Sequence, residues 1–260
     1  MRNHFLPQYY LLGFAHQSTK SVVIYQHDFK KQHSISSQVI SVGAEKGLYP
    51  KEVEESLASE VEYPAKPLLD KIRNFEILSN EEKPVLIRYM TTLLMRVPAA
   101  KQRAISMIPK LLPEQIEKLE SQIAKAVHNN IINDDRARVF RNQLAQLPEK
   151  YAKDPPLDIW YANIDGLSLP QISNAMALMN WTYFRSSESE QFLTSDNPIW
   201  YPREIGMRHF QTEVIFPVSS RSTILLTWHR TELDRFVKAP PKTVKEINKR
   251  IICDANRFCY

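Results

Sequence analysis

The chain has 260 residues, 43% hydrophobic and 24% charged, with 5 glycines and 2 cysteines, a composition that excludes disordered, collagen-like and disulfide-scaffolded classes. No apolar run approaches the roughly 18 residues of a membrane span, the opening apolar stretch is broken by Pro7 and Gln8 with no small-residue cleavage site after it, and Cys253 and Cys259 ask for no oxidising compartment, so a cytoplasmic protein without a membrane partner is expected. The net charge of +5 lies wholly after Pro202, where 11 basic residues meet 6 acidic ones, against 23 of each before it.

In chain order, an aromatic and apolar segment (4–15) leads through a polar loop (17–20) to two β-rich runs, 21–25 and 36–42, whose alternation predicts a hairpin or neighbouring strands. From Pro50 the period becomes helical, with helices expected over 50–60 and 65–75. Ser79, with Glu82 three residues on, forms a capping-box pattern that opens a helix to about Val97, where Pro98 ends it. Further helices are expected over 101–112, over 114–128 with Pro113 in its first turn, and over 134–147 after the Asn-rich turn 129–133. A polar connection (148–156) and a short helix opened by Ser168 and Pro170 follow. Strands are then expected over 181–184, 191–194, 213–216 and 223–228. A closing helix over 241–258 sets Val244, Ile247, Ile251, Ala255 and Phe258 on one face and Lys242, Lys245 and Lys249 on the other.

Strands, many helices, strands and a helix do not alternate as a doubly wound sheet does, so the expected class is α+β. N-terminal and C-terminal strands are expected to share one mixed or antiparallel sheet. One domain spanning 1–260 would then carry a helical insertion (50–180) between sheet-forming ends (1–49 and 181–260).

Three segments place polar groups where packing alone does not require them. His4 and Gln8 flank Pro7; if Pro7 begins a helix, free backbone N–H groups there favour an anion. Arg88, Thr92 and Arg96 line one edge of an otherwise apolar helix, where a guanidinium needs a carboxylate such as Glu54 or Glu62, or a bound anion. The corner Thr194, Ser195, Asp196, Asn197, Pro198 follows a strand as an Asx turn, able to hold a metal, orient a histidine or cap its own loop. Trp200 and Tyr201 beside it suit either base stacking or the core. Gly-rich phosphate loops, His-Glu-x-x-His, Cys-x-x-Cys and Gly-x-Ser-x-Gly are absent, and adjacent Asp134 and Asp135 diverge on a helix, so no nucleotide cofactor motif or zinc ribbon is indicated.

The strings HFLPQYYLLGFA, AEKGLY, LLMRVP, FLTSDNPIWY, FPVSS and INKRIICDANRFCY, in this order over nearly the whole chain, resemble a mainly bacterial domain-of-unknown-function family. Its marks are a His-x-x-Pro-Gln-x-Tyr-Leu start, an Arg-x-Pro helix end and a Ser-Asp-Asn-Pro corner. The resemblance implies that His4, Pro7, Gln8, Tyr10, Arg96, Ser195, Asp196, Asn197 and Pro198 occupy pattern positions. Pro217-Val218-Ser219 stands where the family has Pro-Leu-Ser. It implies no reaction.

Two functional readings follow. In the first the chain is a hydrolase of nucleic acid or nucleotides: His4 is general acid or base, Asp196 and Asn197 orient it or hold a divalent ion, and Arg96 stabilises phosphoryl charge. Gln8, Arg88, Ser195, Asn197, Lys242, Lys245 and Lys249 would bind substrate, the lysines through phosphate. In the second it is a non-catalytic binding or interaction module, with His4 and Asp196 as a structural pair. A defence or toxin-like effector is a further alternative that no residue tests.

Overall fold

The computed structural model describes residues 2–17, 22–161, 164, 169–229 and 235–260. Ser21, loop positions 18–20 and Ser168 therefore lie outside the described residues. The described chain divides into two compact units, one formed by Met1–Ala100 and Tyr161–Tyr260, the other by Lys101–Trp160.

The first unit is α+β, as expected, but its strands form three small sheets rather than one. β1 (Arg2–His4) pairs antiparallel with β5 (Ala44–Lys46). The predicted hairpin is β3 (Val22–Asp28) and β4 (His33–Gln38), in register from Val23 opposite Gln38 to Asp28 opposite His33. β3's other edge takes β2 (His16–Gln17) and, unforeseen, the C-terminal β10 (Phe258–Cys259). This is the pairing that joins the two chain ends. The third sheet has the order β7 (Glu213–Ser219), β8 (Ser222–Thr227), β6 (Asn180–Arg185), β9 (Phe236–Lys238), with β9 parallel to β6. Pro217 is tolerated because β7 is an edge strand and its ladder shifts register there. The run 191–194 joins no ladder. It is tied through the Phe192 N–H to the Ser220 carbonyl and through Thr194 to Tyr260.

After the short α1 (Gln8–Leu11), Gly13 lies so close to β7 that a Cβ would meet the Val218 carbonyl at 2.5 Å, a contact that only glycine avoids. α2 (Lys51–Leu57) and α3 (Tyr63–Arg73) are joined by a π-helical turn, Ala58–Glu62. Pro64 supplies no N–H to the Glu60 carbonyl four residues back, which explains the local slip from α-helical bonding. The Ser79 and Glu82 capping box forms reciprocally (2.8 and 3.3 Å) ahead of α4 (Lys83–Arg96), and Val97 is extended before Pro98. The closing helix is shorter than its sequence pattern: α9 (Pro241–Cys253) ends at Asp254 and buries Val244, Ile247 and Ile251 against Phe192 and Ile215.

The second unit is a helical hairpin. α5 (Pro98–His128) runs unbroken through Pro109 and Pro113 where two helices were expected, and α6 (Asp134–Lys153) runs through Pro148. Asn133 caps α6, its side chain accepting from the Arg136 N–H at 2.9 Å. α7 (Asp158–Tyr161) and α8 (Pro170–Leu178) lead back to β6.

Candidate functional site

The Thr194–Pro198 corner is a clamp on the C-terminal tail. Asp196 is 2% exposed. One carboxylate oxygen accepts the Asn256 N–H at 2.8 Å, and the other those of Arg257 at 2.8 Å and Phe258 at 3.1 Å. Burial pushes its pKa up, against these three amides, which favour the ionised form. On either side, Thr194 and Tyr260 exchange backbone bonds, and the Asp196 N–H donates to the Phe258 carbonyl. Ser195 closes its own turn, accepting from the Asn197 N–H at 3.2 Å and donating to the Asn197 carbonyl at 2.9 Å. Asn197 donates to the Asp254 carboxylate at 2.5 Å, which also takes Arg203 at 2.5 Å. The tail is held from its other edge by Arg257, whose guanidinium meets Asp28 at 2.8 Å in β3. That pairing, with the N–H groups of Lys30 and Lys31, holds the Asp28 carboxyl down to about 2.

Arg96 is fully buried. Its Nη1 donates to Glu62 at 2.6 Å, and its Nη2 to Tyr49 Oη at 2.9 Å and to the His4 backbone carbonyl. Burial alone favours the neutral guanidine. The Glu62 carboxylate and Tyr49 more than offset it, so the charged form is held. The π-helical turn that presents Glu62 also leaves the Glu60 carbonyl without its helical donor. Arg88 fills it, donating to that oxygen and to the Glu60 carboxylate, both at 3.2 Å. The arginine edge of α4 is thus a double strap onto the turn before α3, the carboxylate alternative of the sequence reading.

His4 turns its ring the other way. Its Nε2 lies 3.1 Å from the Ile40 carbonyl oxygen and 3.5 Å from Gln8 Nε2, half-buried beside a small recess lined by Gln8, Leu12 and Ile40. α1 spans only four residues and Pro7 precedes it without a side-chain cap. Arg96 and His4 are therefore brought together, though by the histidine's backbone and not its imidazole. The Asp196 carboxylate bonds the backbone amides of the tail while the His4 ring meets the Ile40 carbonyl, in place of the orienting role and the structural pair expected of them. Among the described residues no group of three or more His, Cys, Asp or Glu is placed to hold a metal ion. Trp200 and Tyr201 each carry a protein cation over the ring, Arg250 at 4.9 Å and Arg203 at 5.0 Å. Lys242, Lys245 and Lys249 are exposed on α9, with Glu190 at 3.9 Å from Lys245.

Sequence reasoning passed over the helical hairpin. Ile105, Ile108, Leu112 and Ile116 recur at helical spacing on α5 and, with Pro148 and Tyr151 on or beside α6's last turns, line a cleft of about 730 Å³. The spacing was visible. Pro113, read as the first turn of a second helix, concealed that the stripe is continuous.

A family model described as "Protein of unknown function (DUF4238)" matches residues 2–260. The chain belongs to this family. No curated protein and no solved structure matches it. In this member of the family, the Arg-x-Pro helix end and the Ser-Asp-Asn-Pro corner are both places where buried polar side chains fasten distant segments. No helix among the described residues is long and apolar enough to cross a membrane.

Proposed function

We propose that this chain is a non-catalytic binding module. The observation that carries the reading is the saturation of Asp196 by three tail amides at 2.8–3.1 Å in a setting 2% exposed. A catalytic or metal-binding carboxylate needs an oxygen open to its substrate or ion. Arg96 supports the same reading, since its Nη1 and Nη2 meet Glu62, Tyr49 and the His4 carbonyl from a position with no exposed surface. A buried cation so placed fixes which segments pack together, the role for which buried polar groups are best suited.

The test is incubation of the purified protein with RNA, DNA and nucleotides in the presence of Mg or Mn. All are expected to remain intact. Hydrolysis that is abolished by His4→Ala, in a variant that melts with the parent, would return the chain to the hydrolase reading.

A further inference from the structure

The hairpin of α5 and α6 is short of a core. Among the described residues of Lys101–Trp160 the buried hydrophobic ones are Ala137, Leu144 and Trp160, and α5 has none beyond Ala100. Met107, Leu111, Leu119 and Val139 are each more than 40% exposed. Two helices alone leave part of each apolar stripe uncovered, and a third element is needed to cover the rest.

The polar chemistry around the cleft is one-sided. Glu117 and Glu120 stand in its wall and, among the described residues, no lysine or arginine does. Pro109, Pro113 and Pro148 also line it. Each lacks an N–H, so the carbonyls of Ile105, Pro109 and Leu144 lose their helical donor. Apolar floor and two carboxylates select an occupant that offers aliphatic side chains together with cationic donors. A fatty acid fits the floor and is repelled by the wall.

Resting on the binding-module reading, we infer that the cleft docks an amphipathic helix of a partner protein. Its apolar face lies along Ile105, Ile108, Leu112 and Ile116, and its lysines or arginines meet Glu117 and Glu120. The mode is helix-in-groove recognition, read through residues three and four apart.

The experiment uses the full chain and fluorescence anisotropy with two labelled helical peptides of roughly 18 residues, about five turns. One is of leucine and lysine, the other of leucine and glutamate in the same pattern. The lysine peptide is expected to bind at least ~10-fold tighter, a difference of ~1.4 kcal/mol. The protein's own net charge of +5 works against that preference, so general electrostatics do not imitate it. Ala152→Arg, at an exposed cleft position, is expected to weaken binding at least ~10-fold, and Glu117→Gln with Glu120→Gln to erase the preference; circular dichroism checks that each variant is folded. Should Ala152→Arg fail to fold, the glutamine pair carries the test. Equal affinity for the two peptides, no binding of either, or binding indifferent to these changes overturns the inference. So does a concentration-dependent dimer that Ala152→Arg dissolves, which would give the cleft to a second copy of this chain. Any of these outcomes leaves the hydrolysis assay as the separate judge of the module reading.

Discussion

The two units solve opposite problems. In the unit built from both chain ends, charged and amide side chains lie inside: Arg96, Asp196 and Asn197 are each no more than 2% exposed and each holds protein partners. In Lys101–Trp160 many apolar side chains lie at the surface, and a 31-residue helix has no buried side chain after its third residue. Buried polar groups are stable only when their bonds are made, so the first unit's charges report how it is assembled. Exposed apolar surface has no such internal explanation and reports what a chain meets. On the proposed reading, the polar residues that look chemical in the sequence hold the fold together, and the ordinary-looking helices carry the recognition surface.

The sharpest way to break this contrast is Arg96→Met. It leaves Glu62 without its guanidinium partner, removes one donor from Tyr49 and from the His4 carbonyl, and is expected to destabilise the fold by about 3–5 kcal/mol, the range for unpairing a buried ion, read by urea denaturation. A loss near zero would mean that the strap between α4 and the β1 end is dispensable. The tail clamp gives a pH signature. Because Arg257 and two backbone N–H groups hold the folded Asp28 carboxyl at about 2, below its ordinary value near 3.9, its contribution is fully present above about pH 4 and is lost as pH falls toward 2. Asp28→Asn is expected to remove that part of the acid-induced fall in melting temperature, so that parent and variant converge at low pH. Parallel curves would contradict it. The smallest effect belongs to the second unit. Ala152→Arg is expected to shift stability by no more than about 0.5 kcal/mol, the usual range at an exposed site. A large loss would show that the cleft is needed for folding rather than for contact.

Much of the fold was legible because it rests on local periodicity. β6, β7, β8, α4 and α9 follow from alternation or three-four spacing, and the Ser79 and Glu82 box marks the start of α4. β10 was illegible for a specific reason. Ala255 and Phe258 continue the α9 stripe in phase, while the helix stops at Asp254, whose carboxylate is drawn to Asn197 and Arg203, more than fifty residues away. For the site, Arg96 with Glu62 was among the pairings the sequence allowed. The partners of Asp196 were not, since backbone amides carry no signature in residue type. The same gap concealed that three sheets replace one, because sheet membership depends on pairings between remote strands.

The most direct test of the account is the urea-unfolding free energy of Asp196→Asn against the parent. The substitution keeps the shape and removes the charge that three tail amides face. The account predicts a loss on the order of 2–4 kcal/mol, as expected for weakening several charge-assisted bonds in a buried site. Unchanged or increased stability, the behaviour common when a catalytic group is replaced, would contradict it.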